Sequence, residues 1–106
     1  MTKKLLLIIF LLTASFSFSQ DKLKDKLLAS PNPFSNQTTI YFNTQLDQDV
    51  ILTVKNVLGK TVFKQNLKVS KGKNVIPFYR NDLKSGMYIY AIQSREKIIS
   101  KRFVIR

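Results

Sequence analysis

Cysteine, histidine and tryptophan are absent from this 106-residue chain. Without cysteine there is no disulfide, no thiolate metal site, no thiol nucleophile and no lipidated-cysteine anchor. Without histidine the chain lacks the commonest general base and the commonest metal ligand. Acids are scarce too: 6 Asp+Glu stand against 18 Lys+Arg, for a formal charge of +12. Six carboxylates and three glycines leave little from which to assemble an active site. The composition therefore argues against an enzyme, and no cofactor or metal is expected. A chain of this length holds one domain.

Long apolar runs are also missing. The longest, LLLIIFLL at residues 5–12, is eight residues, well short of the roughly 20 needed to span hydrocarbon. Lys3 and Lys4 precede it, and a small, polar stretch with Phe16 and Phe18 follows. This is the three-part layout of a secretory signal peptide. Ser17 and Ser19 supply small residues at −3 and −1 of a cut between Ser19 and Gln20. The reading is a cleaved export signal over residues 1–19 and no stable membrane span. Its removal leaves 16 basic groups against 6 acidic. An exported chain without cysteine leans toward a bacterial source.

Residues 20–29, QDKLKDKLLA, carry Leu23, Leu27 and Leu28 at i, i+4 and i+5, a spacing that lines one helical face. Ten residues do not hold a helix alone in water. The segment reads as a linker, with at most one helical turn when docked.

From residue 30 onward the pattern is β. Ser30-Pro31-Asn32-Pro33-Phe34 forbids a helix start and pushes Ser30 and Asn32 to extended backbone. Ile40 and Phe42 alternate with Tyr41 and Asn43. Val50, Leu52 and Val54 alternate with Ile51, Thr53 and Lys55. Val62, the run 74–78, the set Tyr88/Tyr90/Ile92 and the pair Phe103/Ile105 follow. Period two with β-branched and aromatic residues is the strand signature. Turn residues fall at 58–60, 70–74, 81–86 and 94–97, and the last is a hairpin without the usual Asn-Gly. This spacing predicts an all-β sandwich over residues 30–106. Phe42, Phe63, Phe78 and Phe103 are expected in its core, and Phe34 is expected to plug one end.

Three phrases go beyond generic β-structure: PNPFSNQTTIYF at 31–42, VKNVLGKTVF at 54–63 and GKNVIPFYRNDLKSGMYIYAI at 72–92, with KRFVIR closing the chain. In this order they resemble the C-terminal sorting domain, type A, of the type IX (Por) secretion system of Bacteroidetes. Each phrase has a physical reading. Pro31 and Pro33 stiffen the entry to the first strand around Asn32 and keep it from extending a neighbour's ladder. Gly59 takes a positive φ in a tight turn, and Leu58 beside it is expected to be a buried anchor. Leu83, Gly86 and Tyr88 form a corner where the tyrosine hydroxyl bonds backbone a few residues upstream.

The resemblance implies a small immunoglobulin-like antiparallel sandwich behind a cleavable signal peptide, acting as a non-catalytic targeting module. It implies recognition by the outer-membrane translocon, removal by a sortase-type protease, attachment of cargo to lipopolysaccharide, and a surface or extracellular destination. Recognition in the family involves the last strand, which maps here onto Lys101, Arg102, Phe103, Val104, Ile105 and Arg106. Two departures stand out. Ser30 replaces the aromatic usual before Pro-Asn-Pro. Only residues 20–29 separate the export signal from the sorting domain, where family members carry a large cargo, so either the domain is itself the product or the frame is the remnant of a larger gene.

A stand-alone immunoglobulin-like binding module for a cell-envelope glycan or protein is the alternative, with Tyr41 and Tyr79 as sugar contacts. The clusters Lys22/Lys24/Lys26, Lys68/Lys71/Lys73 and Lys97/Lys101/Arg102/Arg106, with Tyr41, Tyr79 and Tyr90 for stacking, are weighed against nucleic acid, and no nucleic-acid partner is expected. Lysines on turns and outer faces keep a β-protein soluble and blunt its edges. Attraction to anionic lipopolysaccharide fits the charge better. Asp47-Gln48-Asp49 falls short of the 6–8 oxygens calcium takes and reads as a polar turn. Asn36-Gln37-Thr38 matches a glycosylation acceptor but fits a turn.

Overall fold

A computed structural model describes residues 25–106. The expected export signal and the cut at Ser19–Gln20 lie outside the described residues. Within them are seven strands and no helix: β1 (Lys26–Ser30), β2 (Gln37–Thr44), β3 (Gln48–Lys55), β4 (Thr61–Val69), β5 (Gly72–Tyr79), β6 (Gly86–Gln93) and β7 (Ile98–Ile105). They form two antiparallel sheets in the orders β1-β2-β5 and β4-β3-β6-β7. The chain changes sheet after β2, β4 and β5, which makes an immunoglobulin-like sandwich.

Alternation decides which face each strand buries. In β3, Val50, Leu52 and Val54 point inward and are buried, while Ile51 and Thr53 lie half-exposed on the outer face. In β6, Tyr88, Tyr90 and Ile92 do the same. Leu27, Ile40, Phe42, Ile76 and Phe78 supply the opposing layer. A buried side chain of this size contributes about 1.5–3 kcal/mol. Aromatic rings fill one end: Phe103 stacks on Tyr90 at 4.9 Å, and Phe34 meets Phe103 edge-on at 5.1 Å. Phe34 plugs the core, and Phe42, Phe78 and Phe103 are fully buried in it. Phe63 is only half-buried against the core, because β4 is an edge strand.

The first strand departs from the sequence reading. The segment read as linker with a helical turn holds β1, which pairs with β2 from Lys26↔Asn43 to Ser30↔Thr39. Leu27 and Ala29 point into the core and Leu28 points out. Helical spacing of Leu23, Leu27 and Leu28 loses because β2 offers an open ladder edge, and five backbone pairings outweigh a helix that cannot nucleate at this length. The insertion point of any fusion partner must therefore lie ahead of Lys26.

Candidate functional site

The last strand divides its residues between two tasks. Phe103 and Ile105 are inward and fully buried. Arg102, Val104 and Arg106 face outward or into solvent. Lys101 has the inward register, opposite Tyr90, yet remains exposed. An inward-register charge on an edge strand opposes pairing with a second sheet. Of the six residues expected to be recognised, four are accessible and two hold the strand in place.

The open edge of β7 is sealed from Arg102 to Arg106 by the Pro-Asn-Pro segment and Phe34. The Asn32 carboxamide donates through Nδ2 to the Arg102 carbonyl at 3.1 Å and accepts at Oδ1 from the Val104 N–H at 3.0 Å. Phe34 continues in parallel, its N–H donating to the Val104 carbonyl at 3.0 Å and its carbonyl accepting from the Arg106 N–H at 2.8 Å. Pro31 and Pro33, which follow cis peptide bonds, cannot donate and so add no ladder of their own. The buried Thr38 hydroxyl ties the segment to β2 by donating to the Pro31 carbonyl at 2.6 Å.

Arg80 locks the end of the strand. Its guanidinium donates to the backbone oxygens of Leu83 at 2.8 Å, of Ser35 at 3.3 Å and of Arg106, and to Ser85 Oγ at 3.0 Å. The planar fork of arginine suits this several-way hold. Sequence reasoning passed over Arg80, a lone cation in a turn with no spacing to mark it. Beside it, Tyr88 donates its hydroxyl to the Lys84 carbonyl at 2.7 Å, the corner bond expected of it, and Leu83 packs partly buried against the core.

Strand directions bring all the motif segments together. The end of β3 and its turn, the start of β6, the end of β7, the loop 80–85 and residues 31–36 share one pole of the sandwich. This pole carries Lys55, Lys60, Arg80, Lys84, Arg102 and Arg106 against Asp82 alone. Asp25, where the described chain enters, lies at the other pole, paired to Lys97 at 3.3 Å. The other described acids there are Asp47, Asp49 and Glu96.

Leu58 overturns one expectation. It is 89 % exposed rather than buried. The turn it occupies is held from within by Asn56, whose Oδ1 accepts from the N–H groups of Leu58 and Lys60, both at 3.0 Å. Gly59 has the expected positive φ of 84°. The turn is set by polar bonds and Gly59, so it needs no buried anchor.

The other candidates separate. Lys97 sits at the far end of β7 from Arg106, and Lys68, Lys71 and Lys73 gather at that same far pole. Lys22 and Lys24 lie outside the described residues. Tyr90 is buried, stacked on Phe103 inside the core, and is unavailable to stack on a base. Burial pushes its pKa above the ordinary value of 10.0. Tyr41 and Tyr79 share the outer face of the three-stranded sheet, with the Lys73 ammonium 4.7 Å above the Tyr41 ring. Asp47 Oδ1 accepts from the Lys71 N–H at 2.7 Å and joins two turns. Asn36 accepts the Arg80 N–H at its carbonyl. Among the described residues no helix is long and apolar enough to cross a membrane.

The model of a family described as the secretion system C-terminal sorting domain matches residues 29–106. The match takes in the whole motif pole and every strand from β2 to β7. No curated protein matches the chain.

Proposed function

Since the chain belongs to the family of C-terminal sorting domains of the type IX secretion system, we propose that the outer-membrane translocon reads it at the pole where its motifs converge. The carrying observation is the sealed edge of β7. Asn32 and Phe34 occupy the outward backbone groups from the Arg102 carbonyl to the Arg106 N–H. Strand addition at this part of the edge is therefore blocked while the domain is folded. What remains for a partner is the outward row of exposed side chains Arg102, Val104 and Arg106, with Lys101 exposed on the inward register. Phe103 and Ile105 act indirectly, by holding that row on the sandwich.

The described chain enters at the opposite pole, beside Lys97. Anything attached ahead of β1 thus points away from the recognised end. A sortase-type protease cutting ahead of Lys26 would work without disturbing recognition, and attachment of the released part to anionic lipopolysaccharide would follow at that end. The signal peptide at residues 1–19 would supply the first export step, with residues 20–25 as the connection to β1. The destination is the cell surface or the medium.

The test places a fluorescent reporter after Gln20, which leaves β1 intact, in a host with and without a working type IX translocon. Surface or extracellular reporter only in the presence of the translocon supports the reading. Loss of that export in the double variant Arg102→Glu, Arg106→Glu, with unchanged thermal unfolding of the purified protein, supports recognition at the pole. A reporter held in the periplasm of both strains would overturn the sorting role for this chain.

A second reading is favoured by the common outer face of Tyr41 and Tyr79 beside Lys73. It is binding to an anionic cell-envelope glycan, and glycan-array binding lost on Tyr41→Ala would support it.

A further inference from the structure

The outer face of the four-stranded sheet carries three exposed apolar residues in two adjacent rows at the motif pole. Register lays them out in rows. Lys55, Ile89 and Arg102 are neighbours across β3, β6 and β7, and Met87 and Val104 form the next row toward the pole. Met87 and Ile89 are exposed large apolar residues, as is Val104. Beyond Lys55 the β3–β4 turn carries Val57, 66 % exposed, and Leu58, 89 % exposed.

A lone exposed leucine needs no explanation. Three apolar residues in adjacent rows, with two more on the turn that continues β3 beyond Lys55, do, and that turn is well fixed. Besides the two bonds to Asn56 Oδ1, the Asn56 N–H donates to the Lys60 carbonyl and the Gly59 N–H to the Asn56 carbonyl, both at 3.0 Å. The turn therefore presents Val57 and Leu58 in a set position at little further entropic cost on binding. Neither side chain belongs to the core or to the residues packed against it.

Resting on the reading that the translocon recognises this pole, we propose that this face is the docking surface itself, and that Val57 and Leu58 are its anchor. The occupant is a protein surface with an apolar socket edged by carboxylates. The charge around the patch sets that chemistry. Lys55, Lys60 and Arg102 border the apolar residues, and no acid stands in these rows. An apolar centre inside a charged border is the anatomy of a protein interface, and carboxylates opposite these cations speed and orient docking. A lipid surface fits less well. Ile89 lies between Lys55 and Arg102 in one row, so on the sheet itself the apolar surface is interrupted by charge.

The experiment uses the full chain with the reporter after Gln20. Val57→Ser with Leu58→Ser should reduce translocon-dependent surface reporter by roughly tenfold or more, as loss of an interface anchor does. Thermal unfolding of the purified variant should be unchanged, since both side chains are outside the core. A photo-crosslinker at position 58 should give an adduct only in cells with the translocon, and one at position 75, exposed on the opposite sheet, should give none. If wild-type export needs the translocon while the double variant is exported equally and position 58 gives no adduct, the docking surface is wrong and the sorting reading stands. If wild-type export does not need the translocon, the sorting reading falls and this inference with it. Binding of purified chain to phosphatidylglycerol vesicles that is lost on Leu58→Ser, without a crosslink, would overturn the protein partner in favour of a lipid surface.

Discussion

The Asn32 carboxamide meets Val104 as a peptide group of a neighbouring strand would, accepting its N–H at 3.0 Å while donating to the carbonyl two residues before it at 3.1 Å. One side chain thus stands in for an eighth strand along part of an open edge. The arrangement ties the start of the matched domain to its last strand, 72 residues apart.

Asn32→Ala should remove both bonds and free the edge at the Arg102 carbonyl and the Val104 N–H, with Phe34 still paired beyond them. The groups involved are exposed, so water replaces part of the loss, and a destabilisation of about 1–2 kcal/mol is expected. The freed edge should also favour self-association. Urea unfolding and size-exclusion chromatography at rising concentration measure the two effects. Unchanged stability would show that the carboxamide bonds are no better than those to water.

Arg80→Lys keeps the charge and loses the fork. The ammonium cannot reach Leu83, Ser35, Ser85 and Arg106 together, so a loss of about 1–2 kcal/mol is expected. Protection of the Arg106 amide from hydrogen exchange should fall with it, because that N–H bonds Phe34 at the same locked end. Exchange at wild-type rates would show that Phe34 holds the strand end without Arg80.

Tyr88→Phe deletes only the hydroxyl that donates to Lys84. A cost of about 1 kcal/mol is expected, read as a lower midpoint in urea with an unchanged slope. A cost near zero would mean the corner is held by packing alone.

Phe103→Ala empties a fully buried site contacted by four other aromatic rings. The expected cost is about 3–5 kcal/mol, comparable to the ~3–5 kcal/mol that a core of this size supplies. The variant should be unfolded by circular dichroism. Truncation after Ser100 should fail for the same reason, so export loss in such a truncation reports folding as well as recognition. Arg102→Glu with Arg106→Glu separates the two, because those side chains are exposed.

Alkaline pH should destabilise the domain through Tyr90. Its pKa is raised in the folded state by burial, above 10.0. Below pH 10 both states are protonated and the group is neutral to stability. Above it the unfolded chain releases its proton first, binds fewer protons than the folded one, and gains free energy, so folded stability falls as pH rises. Unfolding midpoints from pH 9 to 11.5 should drop more for the wild type than for Tyr90→Phe. Parallel curves would show that Tyr90 ionises normally.

Much of the sandwich was legible in local pattern. Strict alternation over Val50/Leu52/Val54 and Tyr88/Tyr90/Ile92 identifies both the strands and their buried faces, because side-chain direction in a strand has a period of two whatever the partner. The tyrosine corner and Gly59 were legible because each depends on backbone geometry within a few residues. β1 was not. Leu28 points outward, so two adjacent leucines hide the alternation, and the strand exists because β2 lies beside it.

The candidate site divides along the same line. KRFVIR shows its inward and outward residues by alternation alone, and the ordered motifs identify the family. Sequence by itself therefore determined the class of fold, the run of the last six strands and the family. Tertiary structure alone decided four things: that β1 is a strand, that Asn32 and Arg80 lock β7, that Leu58 faces solvent, and that the motifs meet at one pole away from where the described chain enters. The reason is physical. Alternation and turn chemistry are properties of neighbouring residues, whereas burial and hydrogen-bond partners depend on which surfaces the sheets bring together across 70 residues of chain.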